Sequence, residues 1–320
     1  MKIPALLILI AAGLGAQQQQ VQNAKMETRA FSGTIKAELA RSGAGPFWAA
    51  WSEPEIPGRH GDMCGSEGAS LVRLEGPTAL LVLVRMENSQ VDQLRVSSPD
   101  CRFDAGGLPF IWLNNVPPAE SVAWLKTQAP GPHPDRAISA IALHADPAAD
   151  RALEDFAATT QPEQVREKTA FWLGNSRGAH GVDVLKRMLA NDPSPKVREQ
   201  VIFALSQSKE PVGMAALIDA ARSDKDAKIR SRALFRIAQK AANKQAQEVI
   251  GKAVLEDPDR GVREQAVFAL KQLPENQGVP LLIQVAKSNP DPAVRKKAMF
   301  WLGQSTDPRA LDFFAQVLVK

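Results

Sequence analysis

The chain has 320 residues, of which 44% are hydrophobic and 23% are charged, with a formal net charge of +4. This ordinary globular balance excludes a collagen-like, wholly disordered or polytopic membrane protein, and the small net charge indicates no obligate polyanionic ligand. The sequence contains no tyrosine, so a tyrosine acid, base or nucleophile is excluded as well.

The N-terminal stretch Met1–Ala16, MKIPALLILIAAGLGA, has the layout of an export signal. One basic residue, Lys2, precedes an apolar run that is too short to span a bilayer as a mature helix, and small residues follow it. Cleavage after Gly15 and cleavage after Ala16 both remain open. We expect residues 1–16 to be a signal peptide, residues 17–29 to be a polar linker, and the protein to be periplasmic or secreted, without a transmembrane anchor.

Residues 30–129 predict a small β-rich domain that ends in a helix. The stretch TALLVLVRMENSQVDQLRVSS predicts two strands around a turn at Glu87–Gln90, and CRF and LPFIWL predict shorter strands. The stretch VPPAESVAWLKTQA predicts one short helix with proline at its start. The Pro-rich segment 130–134 predicts a stiff linker after this domain.

Three aromatic residues of this domain, Phe47, Trp48 and Trp51, have two interpretations. They fill the core, or they form a platform on which a glycan of the cell envelope stacks. The core interpretation is favoured, because aromatic side chains dominate the burial of small domains.

The only two cysteines are Cys64 and Cys101. An exported chain with two cysteines in one small domain most simply forms a disulfide, and closing this loop contributes about 4 kcal/mol in the chain-entropy model. A metal site built from His60, Asp62 and Cys64 is the alternative, but the glycines around them indicate a loop and no second Cys/His cluster completes a tetrahedral set. We therefore predict a Cys64–Cys101 disulfide and no metal site.

Five similar segments recur at a nearly constant spacing through the second half of the chain. Their first residues are Val165, Val197, Ile229, Val262 and Val294. Each has Arg second and Leu or Ile ninth, and since positions one, five and nine share one stripe of a helix, each predicts an amphipathic helix, called here a VR helix. A second helix precedes each VR helix across a polar turn. A pair of helices that recurs every 32 or 33 residues predicts an α-solenoid over residues 135–320.

The repeats resemble HEAT repeats in the short bacterial form that is also described as phycobilisome-lyase-like, as in exported bacterial HEAT-repeat proteins. In that family an Asp in the turn lies six residues before the Arg, and these side chains form a ladder between successive turns. The matching residues here are Asp192, Arg198, Asp224, Arg230, Asp257 and Arg263. The chain departs from the pattern at Asn289 and Thr160. The resemblance implies a mainly α protein, a right-handed solenoid of HEAT-type helix pairs after a small β-rich, disulfide-containing domain.

One stretch, Gly174–Gly178, fits the G-x-S-x-G motif of hydrolases. That motif needs a strand before its serine, whereas here a predicted helix precedes it, and glycine at a helix C-terminus explains the match. The four histidines are scattered. We therefore predict no catalytic residue, no metal and no cofactor. The HEAT resemblance leaves a lyase-type enzyme that acts on a chromophore as an alternative.

Two features of the repeats are candidate binding surfaces. The seventh position of every VR segment is phenylalanine, namely Phe171, Phe203, Phe235, Phe268 and Phe300. These side chains either line a groove for a partner or pack between repeats. A basic patch contains Arg222, Lys228, Arg232, Arg236 and Lys240. It suits an anionic partner, although a solvated helix face is the commoner meaning of such a run and export disfavours nucleic acid.

Together these features predict a non-enzymatic scaffold of the bacterial envelope. We expect it to bind a protein or peptide on the inner face of the solenoid through repeated shallow contacts. An envelope glycan or polyanion is the alternative ligand. The oligomeric state stays open.

Overall fold

The computed structural model describes residues 21–56, 79–99, 101–132, 134–240 and 244–318. The chain divides into two compact units, residues 1–155 and 156–320. The division therefore falls after the Pro-rich segment 130–134 that the sequence predicts as the linker. Each unit is described below by itself.

The N-terminal unit contains the small β region that the sequence predicts. Its described strands are β1 (Val21–Gln22), β2 (Lys25–Ala30), β3 (Phe47–Pro54), β4 (Ala79–Glu87), β5 (Gln90–Ser97), β6 (Phe103–Asp104) and β7 (Pro109–Asn114). Five of them form a mixed sheet in the order β2-β7-β3-β4-β5, and β1 pairs with β6. Strand β7 is parallel to both β2 and β3, whereas the β3–β4 and β4–β5 pairs are antiparallel.

Two details of these strands follow from particular residues. Asn88 and Ser89, between β4 and β5, both have positive φ, as the tight turn of a two-residue hairpin requires. Residues 21–30 form β1 and β2, although the sequence predicts a polar linker over 17–29. Strand β2 is largely exposed and polar, so it shows no hydrophobic alternation that would mark it as a strand.

Helices cover part of this sheet. They are α1 (Ile35–Ala40), α2 (Pro118–Gln128), α3 (Pro134–Leu143) and α4 (Pro147–Ala157), the last of which crosses the unit boundary. The C-terminal end of α3 is joined to β3 by backbone hydrogen bonds, since Ile56 N–H donates to Leu143 and Ala145 N–H donates to Pro54. These bonds explain why α3 belongs to the N-terminal unit.

The aromatic residues Phe47, Trp48 and Trp51 lie in the core of the N-terminal unit and are at most 5% exposed. Trp48 packs in a cluster with Phe110 and Trp112, and the ring of Trp51 meets that of Trp124 edge to face. A glycan platform needs exposed ring faces. The glycan-binding interpretation of Trp48 and Trp51 is therefore not supported by the fold.

Several sequence predictions concern residues outside the described ranges. The signal peptide at 1–16 is among them, as are Cys64 and the alternative metal ligands His60 and Asp62. Cys101 is buried, and no cysteine in the described ranges is free. The Cys64–Cys101 disulfide therefore stays a prediction. Within the described ranges, no helix has the length and apolar character that crossing a membrane requires.

The C-terminal unit is an array of helix pairs. The five VR helices are α5 (Glu163–Ser176), α7 (Pro195–Gln207), α9 (Ala227–Lys240), α11 (Arg260–Gln272) and α13 (Pro292–Gly303). The companion helices are α6 (Gly178–Asn191), α8 (Pro211–Ser223), α10 (Lys244–Glu256), α12 (Val279–Ser288) and α14 (Pro308–Leu318). Positions one, five and nine of the VR helices are buried, as in Val197, Val201 and Leu205. Neighbouring VR helices pack directly against one another, so their seventh and eighth positions form a continuous surface.

Glycine at the start of two companion helices sets how closely they approach the preceding VR helix. A Cβ atom on Gly181 would overlap the carbonyl oxygen of Leu173, and one on Gly278 would overlap that of Leu270. We expect Gly181→Ala and Gly278→Ala each to lower the free energy of unfolding by about 1–3 kcal/mol, because the backbone must shift to admit the methyl group. Chemical denaturation followed by circular dichroism measures this change.

Gly251 is the matched control for these two substitutions. It lies within α10, and a Cβ atom there meets nothing within 4 Å. We expect Gly251→Ala to raise the free energy of unfolding by about 0.5–1 kcal/mol, since alanine is the better helix former. Equal effects at Gly251 and Gly278 would contradict the close-approach explanation.

Candidate functional site

The five phenylalanines at the seventh position of the VR helices lie in one row. The rings of Phe171 and Phe203 are stacked with centroids 6.4 Å apart, and those of Phe235 and Phe268 are stacked 5.9 Å apart. The first four side chains are half-buried, whereas Phe300 is 54% exposed. The rings therefore pack between repeats and still reach solvent. That they line a groove for a partner stays a prediction.

Two further side chains make the row continuous. The guanidinium of Arg236 lies 4.8 Å from the ring centroid of Phe203 and 5.8 Å from that of Phe235. The ring of Trp301 lies 4.9 Å from both Phe268 and Phe300. The whole set, called here the aromatic row, is Phe171, Phe203, Arg236, Phe235, Phe268, Trp301 and Phe300.

The eighth position of the VR helices explains why Arg236 and Trp301 bridge neighbouring rings. This position alternates between large and small residues, in the order Trp172, Ala204, Arg236, Ala269, Trp301. The alanines are buried, so the large side chain of the next repeat can reach across to the neighbouring phenylalanine. Sequence reasoning predicts the phenylalanines and misses these two partners, although the alternation is visible in the repeat alignment.

The basic patch is divided between two helices. Lys228, Arg232, Arg236 and Lys240 are spaced by four residues along α9 and share one face, whereas Arg222 lies in α8. Glu199 of α7 pairs with Lys228 and, at 3.3 Å, with Arg232. Within the described ranges, Arg236 and Lys240 have no carboxylate partner. The patch therefore coincides with the aromatic row at Arg236.

A surface depression of about 510 Å³ lies between α9 and α11, where the row and the basic stripe meet. Phe235 and Phe268 form its apolar wall. Lys228, Arg232, Asp259 and Gln265 supply its polar groups. This size lies in the range of pockets that hold ligand groups.

The Asp and Arg residues of the turns form buried ion pairs between successive repeats. Arg230 donates two hydrogen bonds to Asp257, both 2.8 Å long, and Arg166 likewise grips Asp192 with two. Arg198 donates one to Asp224, at 2.6 Å. In each pair the arginine of one turn binds the aspartate of the next turn. Each arginine also donates to a backbone carbonyl, in the case of Arg230 that of Asp224 in its own turn.

The last turn differs because Asn289 replaces the aspartate. Its amide oxygen accepts from Asp291 N–H and its amide nitrogen donates to the Val254 carbonyl. Arg263 therefore pairs with Asp291, at 3.1 Å, in a more exposed position. The Ala293 N–H and the Arg263 guanidinium hold the pKa of Asp291 below its usual value.

The family model of HEAT repeats matches residues 149–238 and 248–320, about half of the chain. The chain belongs to the HEAT-repeat family. This finding confirms the repeat architecture that the sequence predicts. No curated protein matches the chain.

Solved structures resemble part of this HEAT-repeat chain. The complex of CpcE and CpcF of phycocyanin lyase from Nostoc sp. PCC7120 is 22% identical with a TM-score of 0.36, over 50% of this chain and all of that one. Kap95p in its complex with RanGDP is 17% identical with a TM-score of 0.38, over 58% of this chain and 29% of that one. Human deoxyhypusine hydroxylase is 18% identical with a TM-score of 0.28, over 62% of this chain and 77% of that one. At these identities and scores they carry no information on activity.

The G-x-S-x-G match belongs to helix packing in this HEAT-repeat protein. Ser176 is the last residue of α5, so a helix precedes the turn. Gly174 lies inside α5, where a Cβ atom would overlap the carbonyl oxygen of Ala204 in α7. The close approach of two VR helices, and not a helix end as the sequence suggests, therefore explains this glycine. No group of three side chains in the described ranges is placed to hold a metal ion.

The N-terminal unit holds a buried polar cluster that sequence reasoning misses. His144 Nδ1 lies 2.7 Å from the Ala140 carbonyl, to which it can only donate, so in the neutral imidazole Nε2 accepts from the Ser121 hydroxyl at 2.9 Å. The same hydroxyl accepts from Trp51 Nε1 at 2.8 Å. The single hydroxyl proton of Ser121 is thus directed at His144.

Glu53 completes this cluster and is 2% exposed. Neither of its carboxyl oxygens makes a hydrogen bond of normal geometry, although the Ser121 hydroxyl is close enough to lower its pKa in part. Burial raises the pKa of Glu53 to about 8, and the charge of Asp146 adds to the rise. Serine, histidine and glutamate are the residue types of a nucleophilic triad, but all three are buried, which argues against access of a substrate.

Proposed function

We propose that this protein is a non-enzymatic scaffold of the bacterial envelope that binds a linear peptide segment of a partner protein along the aromatic row. The observation that carries the proposal is the continuity of that row across five VR helices with its rings only half-buried. Contiguous apolar surface that reaches solvent is a mark of interaction sites in soluble proteins. The HEAT-repeat fold supports a scaffold role, because it presents one extended surface.

The spacing of the rings favours a peptide as the ligand. The rings of the row that contact one another have centroids 4.9–6.4 Å apart, and the guanidinium of Arg236 lies between Phe203 and Phe235. Side chains on one face of a peptide repeat at about 6–7 Å, every two residues in a strand or every four in a helix. Each side chain of the segment therefore meets about one ring, and affinity is the sum of several shallow contacts.

The envelope location is a proposal that rests on the signal sequence predicted at residues 1–16. Fractionation of the host, followed by N-terminal sequencing of the protein, tests it. We expect the mature chain to be recovered outside the cytoplasm and to begin after Gly15 or Ala16. An intact N-terminus in the cytoplasmic fraction would contradict the envelope role and leave peptide binding untouched.

Selection from a displayed library of random peptides tests the binding function. We expect the protein to enrich defined peptides, and Phe300→Ala to weaken their binding about tenfold, since an aromatic side chain that a partner covers contributes more than about 1 kcal/mol to such interfaces. Fluorescence polarisation with the enriched peptides in synthetic form measures the change.

Leu255→Ala is the matched control for Phe300→Ala. Leu255 lies in companion helix α10 and is 55% exposed, against 54% for Phe300, so both substitutions remove an exposed apolar side chain at little cost in stability. We expect Leu255→Ala to bind as the unchanged protein does. If both variants bind equally well, or if no peptide is enriched, the aromatic row is not a peptide site.

A further inference from the structure

We infer that the peptide segment bound along the aromatic row is acidic, with carboxylate side chains between its apolar ones. This inference rests on the proposed function and names the chemistry of the partner. It is carried by the charge of the VR surface, by the way the row presents Arg236, and by the orientation of the stacked rings.

The first step is the charge along α9. This helix has five basic residues and no acidic one. Four of the five lie four residues apart on the same face, at Lys228, Arg232, Arg236 and Lys240, and such like-charged pairs destabilise a helix. Glu199 offsets the first two of them. Arg236, which lies beside the rings of Phe203 and Phe235, and Lys240 have no carboxylate partner in the part of the chain that the structure describes.

The second step is the imbalance between acids and bases on the rest of this surface. Two acidic side chains there are already ion-paired, Glu167 with Lys196 at 2.8 Å and Glu264 with Arg260 at 3.1 Å. A third, Asp259, caps α11 by accepting from Val262 N–H at 3.0 Å. In contrast, Lys296 and Lys297 of α13 have no ion-pair partner within the described ranges. The free charge of this surface is therefore positive at α9 and again at α13, and an acidic segment complements both places.

The third step is the geometry of Arg236. Phe203 and Phe235 lie against its guanidinium, and one N–H donates to the Gln239 side chain at 3.1 Å. These contacts hold the planar group in place while leaving other N–H groups for a ligand. A fixed guanidinium edge binds a carboxylate in a two-pronged arrangement at a small cost in side-chain entropy.

The rings themselves favour a carboxylate over a nucleic-acid base. Phe171 is stacked on Phe203 and Phe235 on Phe268, within 11° of parallel, so ring faces are occupied by neighbours. Base stacking on an aromatic side chain needs an open face. The ring edges that remain carry partial positive charge and attract an anionic oxygen.

The experiment is the peptide selection described above, read for composition and followed by binding measurements. The five VR helices, with four intervals of about 8–10 Å between them, span roughly 30–40 Å, so a random library of about twelve residues is long enough to follow the row. We expect Asp and Glu to be enriched together with aromatic or aliphatic residues. We also expect the affinity of a selected peptide to fall as salt rises.

Two charge-removing variants locate the effect. Arg236→Gln should weaken a selected peptide about tenfold or more, and the same peptide with Gln in place of Glu should lose a similar factor against the unchanged protein. Lys252→Gln, which removes a charge from companion helix α10, should bind as before. Circular dichroism and denaturation confirm that each variant is folded.

The outcomes separate the inference from the proposed function. If the enriched peptides are neutral or basic and Arg236→Gln does not change their affinity, the inference that the segment is acidic is wrong. The proposal that the aromatic row binds a peptide then still stands. If the unchanged protein enriches no peptide more strongly than the Phe300→Ala variant does, the proposed function is wrong, and the inference is wrong with it. If a mixed-sequence single-stranded oligonucleotide displaces the peptides and binds more tightly at the same salt, the surface is a nucleic-acid site and the inference is wrong.

Discussion

Replacing Arg230 with methionine is expected to lower the free energy of unfolding by about 3–5 kcal/mol, the usual cost of removing one partner of a buried ion pair. The Asp257 carboxylate then stays buried without the two hydrogen bonds that the guanidinium supplies. The loss is this large because the remaining charge is neither hydrated nor paired. Urea denaturation followed by circular dichroism measures it.

The double variant separates the ion pair from the loss of one partner. Asp257 also accepts from Asp259 N–H in its own turn, so Asp257→Asn keeps that bond and removes only the charge. The chain supplies the precedent, since Asn289 makes the equivalent bond at the last turn. We expect Arg230→Met with Asp257→Asn to recover much of the stability that Arg230→Met alone loses. A coupling free energy near zero in this double-mutant cycle would show that the pair does not join the two repeats.

The exposed end of the array provides a control. Arg263 pairs with Asp291, and both side chains are 22% exposed, whereas Arg230 and Asp257 are buried. Arg263→Met should therefore cost only a small part of the stability that Arg230→Met costs, because water takes over much of the lost interaction. Hydrogen exchange should report local opening at the α9–α11 contact for Arg230→Met. Equal losses in the two arginine variants would contradict the role of burial.

The repeat architecture could be predicted because its signal is local and recurs five times. The nearly constant spacing and the stripe of buried positions define each VR helix, and α7, for example, begins at Pro195, just before Val197. The family motif also identifies the turn residues. The motif leaves open whether each arginine binds the aspartate of the preceding turn or that of the next turn. The structure shows that Arg198 binds Asp224 of the next turn.

The N-terminal unit was harder to predict because its contacts join distant parts of the chain. The β4–β5 hairpin is local and is found where the sequence predicts it. Strand β2 pairs with β7, although β3, β4, β5 and β6 all lie between them in the sequence, and neither strand's own residues specify that partner. The same holds for Glu53, Ser121 and His144, which lie in separate segments and meet only when the sheet and helices pack.

The candidate site lies between these two cases. The phenylalanine row follows from the repeat period, but the bridging roles of Arg236 and Trp301 require knowledge of which side chains face the neighbouring helix. The alternation of large and small residues at the eighth position is the sequence signal for it. The sequence predicts the basic patch as one set. The structure separates Arg222 of α8 from the other four residues on α9, because they belong to different helices.

The titration of Glu53 alone is expected to lower the free energy of unfolding by up to about 4–5 kcal/mol between roughly pH 4.5 and pH 8. Each unit of pKa shift corresponds to about 1.4 kcal/mol. Burial raises the pKa of this carboxyl from 4.5 to about 8 in the folded protein. The folded state keeps the proton throughout this range, whereas the unfolded chain releases it above about pH 4.5. The contribution is therefore complete below the unfolded pKa and is lost as the pH rises through the folded one.

Glu53→Gln isolates this contribution, because the glutamine amide has nearly the shape of the protonated carboxyl and does not titrate. Urea denaturation across this pH range measures the unfolding free energies of both proteins. As the pH rises, the unchanged protein should lose stability relative to the Glu53→Gln variant. Glu27→Gln serves as the control. Arg29 holds the pKa of the exposed Glu27 below its usual value, so the titration of Glu27 changes the free energy of unfolding at lower pH. We expect the Glu27 variant to retain the decline.

The structure also gives the reason for the expected sign. Burial opposes the ionisation of Glu53 most, and the charge of Asp146 opposes it further. The Ser121 hydroxyl offsets this only in part, because its proton is directed at His144 and its oxygen accepts from Trp51. A protonated carboxyl avoids placing an uncompensated charge in the core. If the decline persists unchanged in Glu53→Gln, another group of the unit titrates, and the cluster holds Glu53 in its charged form.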